Sequence, residues 1–175
     1  MSGDDTTDAD TAQKVAIITG ANGGIGSALV TAYRGLGYAV AATSRSMPES
    51  EDPQVFAFSC DLVEPGAGER IVGAAMDRFG RIDTVVNSAG VYIGKPFTDY
   101  TDKDFDLIVG VNLRGFFNVS RSAVGAMLSR GEGGGHLVNI STSLVDLKFP
   151  RDHGHIFVMP RGSVRADSAC VSRGV

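Results

Sequence analysis

Three closely spaced glycines carry the first chemical signal in this 175-residue sequence. Gly20, Gly24 and Gly26 lie between an apolar run and a helical pattern, in the stretch Thr-Gly-Ala-Asn-Gly-Gly-Ile-Gly. Glycine permits a tight turn and lets the backbone approach a ligand without a Cβ in the way. The free N–H groups and the dipole of the following helix favour an anion such as phosphate. A strand, a glycine turn and a helix in this order predict a dinucleotide site, with a ligand-free glycine turn as the alternative.

A second cluster, Ser44-Arg45-Ser46, follows the second apolar run. In a parallel nucleotide-binding sheet, the end of the second strand reaches the adenosine ribose. An acidic residue there would suit the ribose hydroxyls of NAD, whereas a guanidinium beside hydroxyls suits a 2′-phosphate. We therefore expect NADP as the cofactor, with NAD possible and a solvated loop arginine as the alternative.

Apolar runs and amphipathic stretches alternate along the chain and must position these residues. Strands are predicted at 15–18, 38–43, Val55–Ser59, 82–86 and 137–140. The first helix is expected to present one apolar side, formed by Ile25, Ala28, Leu29, Ala32 and Leu36. A second helix ends at Gly80, and a long third one spans 102–128. This alternation predicts an α/β fold with a doubly wound parallel sheet.

One polar residue interrupts the apolar stripe of the long predicted helix. Asn112 falls between Ile108 and Phe116 in a stripe that also holds Phe105, Val119, Ala123 and Met127. A buried amide without hydrogen-bond partners costs about 1–3 kcal/mol, so Asn112 should belong to a defined network. A satisfied core asparagine is the alternative to a functional one.

Five motifs, taken in order, resemble the short-chain dehydrogenase/reductase family. The spacing of the glycine turn differs from the common G-x-G-x-x-G and matches that family. The others are Cys60-Asp-Leu, Asn87-Ser-Ala-Gly, Val111-Asn-Leu-Arg-Gly and Asn139-Ile-Ser-Thr-Ser. The resemblance implies a Rossmann fold and hydride transfer between a nicotinamide cofactor and a small-molecule carbonyl or alcohol. Members of the family that the chain resembles are commonly homo-oligomeric.

The resemblance assigns roles to individual residues. Asp61 is expected to meet the adenine amino group, and Asn112 to anchor a water in a proton relay. The catalytic hydroxyl is expected at Thr142 or Ser143. The implied cofactor-binding residues are Gly20, Asn22, Gly24, Ile25, Gly26, Ser44, Arg45, Asp61, Leu62, Asn87, Ala89 and Gly90.

The Tyr-x-x-x-Lys pair that the family uses for proton transfer is missing from this sequence. No tyrosine follows Tyr100 and no lysine follows Lys148. His155 lies near the expected tyrosine position, but no lysine accompanies it, so we interpret it as a bystander. The change of composition near Pro150 indicates a truncated or frameshifted reading frame. Activity is therefore expected to be impaired, with a non-catalytic dinucleotide-binding remnant or interaction module as the alternative.

Composition defines the expected organisation of the chain. Residues 1–12 form an acidic tail that is predicted to be disordered, 13–149 the dinucleotide-binding domain and 150–175 an irregular tail. A net charge of −4 argues against nucleic-acid binding, and no stretch is long enough to span a membrane. Two cysteines predict neither disulfides nor a metal site, and we expect a cytoplasmic protein. The fifth strand is the last one predicted, which would leave its outer edge unpaired unless the carboxyl-terminal tail covers it.

Overall fold

A computed structural model describes residues 12–131 and 134–141, together with the backbone of 164–166. Five strands form a parallel sheet in the order β3-β2-β1-β4-β5, and a short β6 joins its far edge. The strands are β1 Val15–Thr19, β2 Ala39–Ser44, β3 Val55–Ser59, β4 Thr84–Asn87, β5 Gly135–Asn139 and β6 Val164–Ala166. The doubly wound parallel sheet predicted from the sequence is therefore confirmed, with strand ends shifted by up to two residues.

Helices cover both faces of the sheet. Helix α1, Gly24–Gly35, lies on one face, where Leu29, Val30 and Tyr33 pack against Ile18, Val40 and Val86. Helices α2, Ala67–Phe79, and α4, Phe116–Ser129, lie on the other face over Ile17, Ala41 and Val85. Because neighbouring residues of a strand point to opposite faces, the uninterrupted apolar runs supply both cores.

The expected apolar side of α1 is wrong in part. Leu29 packs on the sheet as predicted, but Ile25 is 61% and Leu36 72% exposed, and Ala28 and Ala32 are also exposed. The inward side instead begins at the buried Gly26 and continues through Leu29, Val30 and Tyr33. The closest approach of the helix to the turn before it, at Gly26, sets this rotation.

The predicted helix 102–128 is interrupted. Helix α3, Asp102–Val109, passes into a π-helical segment, Gly110–Gly115, before α4 begins. Phe105, which was assigned to the apolar stripe, is 50% exposed, whereas Ile108, Val119 and Met127 are buried as expected. Within the described part of the chain, no helix combines the length and apolar character needed to cross a bilayer.

The outer edge of β5 is partly covered by a segment of the carboxyl-terminal tail, which is the alternative that the sequence left open. Strand β6 pairs antiparallel with β5, joining Gly135 to Ala166 and Leu137 to Val164. Three residues are too few to reveal a period of two in a sequence, so this strand could not be recognised from its pattern. Residues 164–166 thus form a strand within 150–175, and the division of the chain into two tails and one domain stays a prediction.

A charged cluster holds the amino-terminal edge of the sheet together. Asp83, only 8% exposed, accepts a hydrogen bond from the backbone N–H of Val15 at 2.8 Å. Its carboxylate also contacts Arg81 at 2.6 Å and Arg130 at 3.1 Å. Burial opposes ionisation, but these three donors together hold the pKa of Asp83 below its usual value. The cluster joins β1, β4 and the end of α4 at the edge opposite the glycine turn.

Candidate functional site

The glycine turn lies where the carboxyl ends of β1 and β4 adjoin. Gly20 has a φ of +66°, and a Cβ on it would come within 2.8 Å of the Ala89 backbone. Only glycine fits this conformation and this contact without strain. The turn is therefore packed directly against the Asn87-Ser-Ala-Gly segment, as a shared site at this edge requires.

Gly26 and Gly24 have different surroundings, although they are two residues apart. A Cβ on Gly26 would lie 2.1 Å from the Gly20 carbonyl oxygen, so this glycine permits the close contact between helix and turn. A Cβ on Gly24 would meet nothing within 4 Å. Gly24 is the first residue of α1 and is exposed, so its backbone is open to a ligand at the helix amino terminus.

Hydrogen bonds join the glycine turn to the ends of the flanking strands. The Thr19 hydroxyl accepts from the backbone N–H groups of Ser88 and Ala89, both at 3.2 Å. The Asn22 side chain donates to the Ser46 carbonyl at 2.9 Å. The predicted residues Asn22, Ala89 and the Ser44–Ser46 segment are thereby brought to one edge of the sheet.

A cavity of about 380 Å³ lies at the carboxyl ends of β2 and β3. Its lining residues are Arg45, Ser59, Cys60, Asp61, Glu64 and Arg70. The Arg45 guanidinium has no hydrogen-bond or ion-pair partner among the residues that the structure describes. An unpaired cation beside a cavity is suited to an anionic group.

Asp61 and Leu62 occupy different environments at this cavity. Asp61 accepts the Val63 N–H at 3.1 Å through one carboxylate oxygen, as in a turn, and it also lines the cavity. Leu62 is only 8% exposed and belongs to the core. Its side chain is therefore not available to a ligand, and only its backbone could contribute.

Asn87 links β4 to two neighbouring elements, as expected for a residue that ties the strand end. Its amide donates to the Ser120 hydroxyl and to the Asn139 side-chain oxygen, both at 3.1 Å. Ser120 lies on α4 and Asn139 at the end of β5. Gly90, three residues further on, is exposed at the same edge.

Asn112 is buried within the π-helical segment and forms two hydrogen bonds with one residue. Its side-chain oxygen accepts the Val91 N–H at 2.8 Å, and its amide donates to the Val91 carbonyl at 2.9 Å. The predicted burial and network are confirmed. The side chain fixes the backbone that follows Gly90, and its expected role in a proton relay stays a prediction.

The loop that leads from Val91 into α3 is anchored to that helix. Lys95 donates to Asp104 at 2.6 Å, and Asp104 accepts the backbone N–H of Thr101 at 2.7 Å in a capping box. The hydrogen bond from Lys95 contributes most to holding the pKa of Asp104 far below its usual value. Residues 95–104 are thus held at the start of α3.

Two predicted catalytic residues and one bystander lie outside the described residues. These are Thr142, Ser143 and His155. The other predicted residues, including the exposed Ile25 at the first turn of α1, lie in the described part of the chain.

Sequence reasoning missed several residues that build the site. Thr19, Ser120 and Asn139 hold the strand ends, and Gly110 and Gly115 admit the turn after β3. A Cβ on Gly115 would lie 2.9 Å from the Leu62 Cβ, and one on Gly110 3.1 Å from a Val63 methyl. Two glycines in a predicted long helix could have indicated this close approach.

The residues present fit a nicotinamide dinucleotide. The open backbone at Gly24 suits a pyrophosphate, and the cavity with Asp61 and the unpaired Arg45 suits an adenosine with a phosphate. A doubly wound parallel sheet with a glycine turn between β1 and α1 defines a Rossmann-like α/β protein.

Comparison with known proteins identifies the family. The model of the family described as short chain dehydrogenase matches residues 14–151. The chain belongs to this family of oxidoreductases, which bind NAD(P).

Relatives and solved structures agree with this assignment. Peroxisomal multifunctional enzyme type 2 of Mus musculus is 36% identical over 127 residues, which cover 63% of this chain and 17% of that protein. D-threitol dehydrogenase of Mycolicibacterium smegmatis is 33% identical, over 74% of this chain and 52% of the enzyme. The chain thus spans about half or less of the length of these two relatives.

A crystal structure of a short-chain dehydrogenase/reductase from Brucella melitensis superposes with a TM-score of 0.61 and 30% identity, covering 65% of this chain and 52% of that one. A 3-ketoacyl-(acyl-carrier-protein) reductase from the same organism, complexed with NADH, gives a TM-score of 0.63 at 27% identity, covering 67% and 52%.

Proposed function

We propose that this chain binds NADP(H) at the carboxyl edge of its sheet, as part of an oxidoreductase that acts on a small carbonyl or alcohol. The observation that carries the proposal is the open glycine turn together with the cavity at Arg45, whose guanidinium has no partner among the described residues. The 3-ketoacyl reductase that resembles the chain is complexed with NADH, which supports a nicotinamide dinucleotide but not the choice between the two.

Different residues would bind different parts of the dinucleotide. The N–H groups at the start of α1 would hold the pyrophosphate, and Gly24 leaves room for it. Asp61 would accept from the adenine amino group, and Arg45 would pair with the 2′-phosphate. The exposed Ile25, the ends of β1 and β4, and the segment held by Asn112 would border the nicotinamide half. When bound, the cofactor supplies or takes the hydride.

We also propose that turnover by this chain is impaired. Thr142 or Ser143 would donate a hydrogen bond to the reacting oxygen, but the sequence holds no Tyr-x-x-x-Lys pair to move the proton. The second candidate function, a dinucleotide-binding protein without catalysis, is favoured by that same absence. A cytoplasmic location belongs to this proposal as an expectation.

Titration calorimetry with NADPH and NADH tests the binding proposal. We expect NADPH to bind and to bind more tightly than NADH. Failure of both cofactors to bind would contradict dinucleotide binding, and equal affinities would contradict the NADP preference alone.

A further inference from the structure

A second guanidinium lines the cavity that contains Arg45. Arg70 lies on the first turns of α2, and Arg45 follows β2, so two different elements bring cations to one space of about 380 Å³. The sequence motifs of the family do not include Arg70, and its role does not follow from them.

Arg70 is held in place by three contacts. It donates to the Pro65 carbonyl at 2.7 Å and to a Glu64 carboxylate oxygen at 2.6 Å, and it lies 3.7 Å from the Cys60 sulfur. A guanidinium carries five N–H donors, and the remaining ones have no partner among the described residues. Arg70 can therefore bind a further anion without giving up these contacts.

The charges that line the cavity explain why the contact between Arg70 and Glu64 affects anion binding. Glu64 and Asp61 both line it, and a phosphate there would be repelled by an unpaired carboxylate. The ion pair with Arg70 at 2.6 Å offsets the charge of Glu64, so that Asp61 is the carboxylate that remains beside Arg45 in the cavity.

We propose that Arg70 is a second determinant of 2′-phosphate recognition, which donates to the phosphate and neutralises Glu64. This inference rests on the proposed function, since it concerns the adenosine end of the same dinucleotide site. Arg45 and Arg70 together then select a 2′-phosphorylated adenosine, and Glu64 opposes it.

Binding of 2′,5′-ADP and 5′-AMP to the full chain tests the proposal, because these probes differ only in the 2′-phosphate. Replacing Arg70 by glutamine (R70Q) should weaken 2′,5′-ADP about five- to tenfold, since the lost pair is charged but half-exposed. The affinity for 5′-AMP should change less than about twofold, and R70K should recover part of the loss. E64Q should strengthen 2′,5′-ADP about twofold to threefold, because a carboxylate then no longer offsets the charge of Arg70.

Arg78→Gln is the matched control, because Arg78 lies on the same helix and contacts Pro53 rather than the cavity. An equal loss for both probes in R70Q would overturn the proposal, because Arg70 would then support only α2 or the adenine. No change in R70Q would also overturn it. If the unaltered protein binds 2′,5′-ADP no more tightly than 5′-AMP, the NADP preference fails together with this inference. A selective loss in R45Q but not in R70Q would overturn the role of Arg70 alone.

Discussion

Asn112 and Val91 are joined by hydrogen bonds in both directions, at 2.8 and 2.9 Å, so that one side chain satisfies both polar groups of one residue. The pair connects the π-helical segment Gly110–Gly115 to the backbone that follows the Asn87-Ser-Ala-Gly motif. A helix residue thereby fixes the position of a loop at the carboxyl edge of the sheet.

Replacing Asn112 by alanine should therefore destabilise the protein. The substitution leaves the Val91 N–H and carbonyl without partners, at a cost of about 1–3 kcal/mol for each group that stays dry. The free energy of unfolding in urea measures this loss. Asn118→Ala is the control, because Asn118 lies on α4 and is less buried. Equal stabilities of the two variants would contradict a structural role for the pair.

Substitutions at two glycines, Gly26 and Gly24, test the effects of the turn on folding and on binding separately. Gly26→Ala forces a Cβ to within 2.1 Å of the Gly20 carbonyl oxygen, so the turn must move at a cost of about 1–3 kcal/mol. Gly24→Ala meets nothing within 4 Å and should leave thermal stability close to that of the unaltered protein.

The same pair tests the pyrophosphate site. Gly24→Ala should weaken NADPH by about tenfold, because its methyl group would occupy space beside the helix amino terminus. Calorimetry at a temperature where both variants are folded measures this effect. Unchanged NADPH affinity in Gly24→Ala would place the phosphate elsewhere.

The architecture was readable from the sequence because buried parallel strands form uninterrupted apolar runs. The side of α1 that packs on the sheet was not, because alanines and an isoleucine repeat at helical spacing on its exposed side. The position of Gly26 could have predicted the packed side of α1, because a glycine that allows close packing must itself face the turn. Counting onward from it leads to Leu29, Val30 and Tyr33, which are the residues that pack.

Site residues at the end of a strand could be predicted from the sequence. Contacts between elements that lie far apart in the chain were harder to predict. Asn87 was expected to tie its strand, but its partners Ser120 and Asn139 lie 33 and 52 residues away in the chain. The turn after β3 brings Arg70 to the lining of the cavity, and no local sequence pattern predicts the course of that turn.

Arg45→Glu should reverse the preference between NADPH and NADH. Loss of a charge-assisted hydrogen bond should weaken NADPH by about ten- to hundredfold, and the new carboxylate can accept from the ribose hydroxyls of NADH. Paired calorimetric titrations measure both affinities. Lys103→Glu, the same charge change on α3, should leave the preference intact; a similar reversal there would indicate a general electrostatic effect instead.

Asp83→Asn should destabilise the amino-terminal edge of the sheet by about 3 kcal/mol near neutral pH, because it leaves two arginines without their carboxylate. The folded-state pKa of Asp83 is lowered, so its contribution is present above the unfolded value of about 3.9 and is lost as the pH falls through the folded value. The stability gap between the two proteins should therefore narrow below about pH 4.

Urea unfolding from pH 7 to pH 3 measures that gap. The pair of Arg34 and Asp52, which is more exposed than the Asp83 cluster, supplies the control, since Asp52→Asn should cause a smaller loss. A gap for Asp83→Asn that stays constant over this range would contradict an ionised Asp83 as its source.

The last prediction concerns turnover. Hydride transfer to a carbonyl leaves an alkoxide that needs a proton, and a positioned acid contributes about 10²- to 10⁴-fold to the rate. The chain holds neither a tyrosine after Tyr100 nor a lysine after Lys148 to act as that acid and its partner. We therefore expect no measurable oxidation of NADPH with a broad panel of ketones and aldehydes, even where the cofactor binds.

The absorbance of NADPH with purified protein measures this directly, with Asn112→Ala assayed beside it. Because Asn112 fixes the backbone after the Asn87-Ser-Ala-Gly motif, genuine turnover at this site should depend on it. Activity in the unaltered protein that disappears in Asn112→Ala would contradict the prediction, since another residue of the chain would then have to supply the acid. Activity that survives the substitution would point to a contaminating reductase, because a reaction at this edge of the sheet requires the backbone that Asn112 positions.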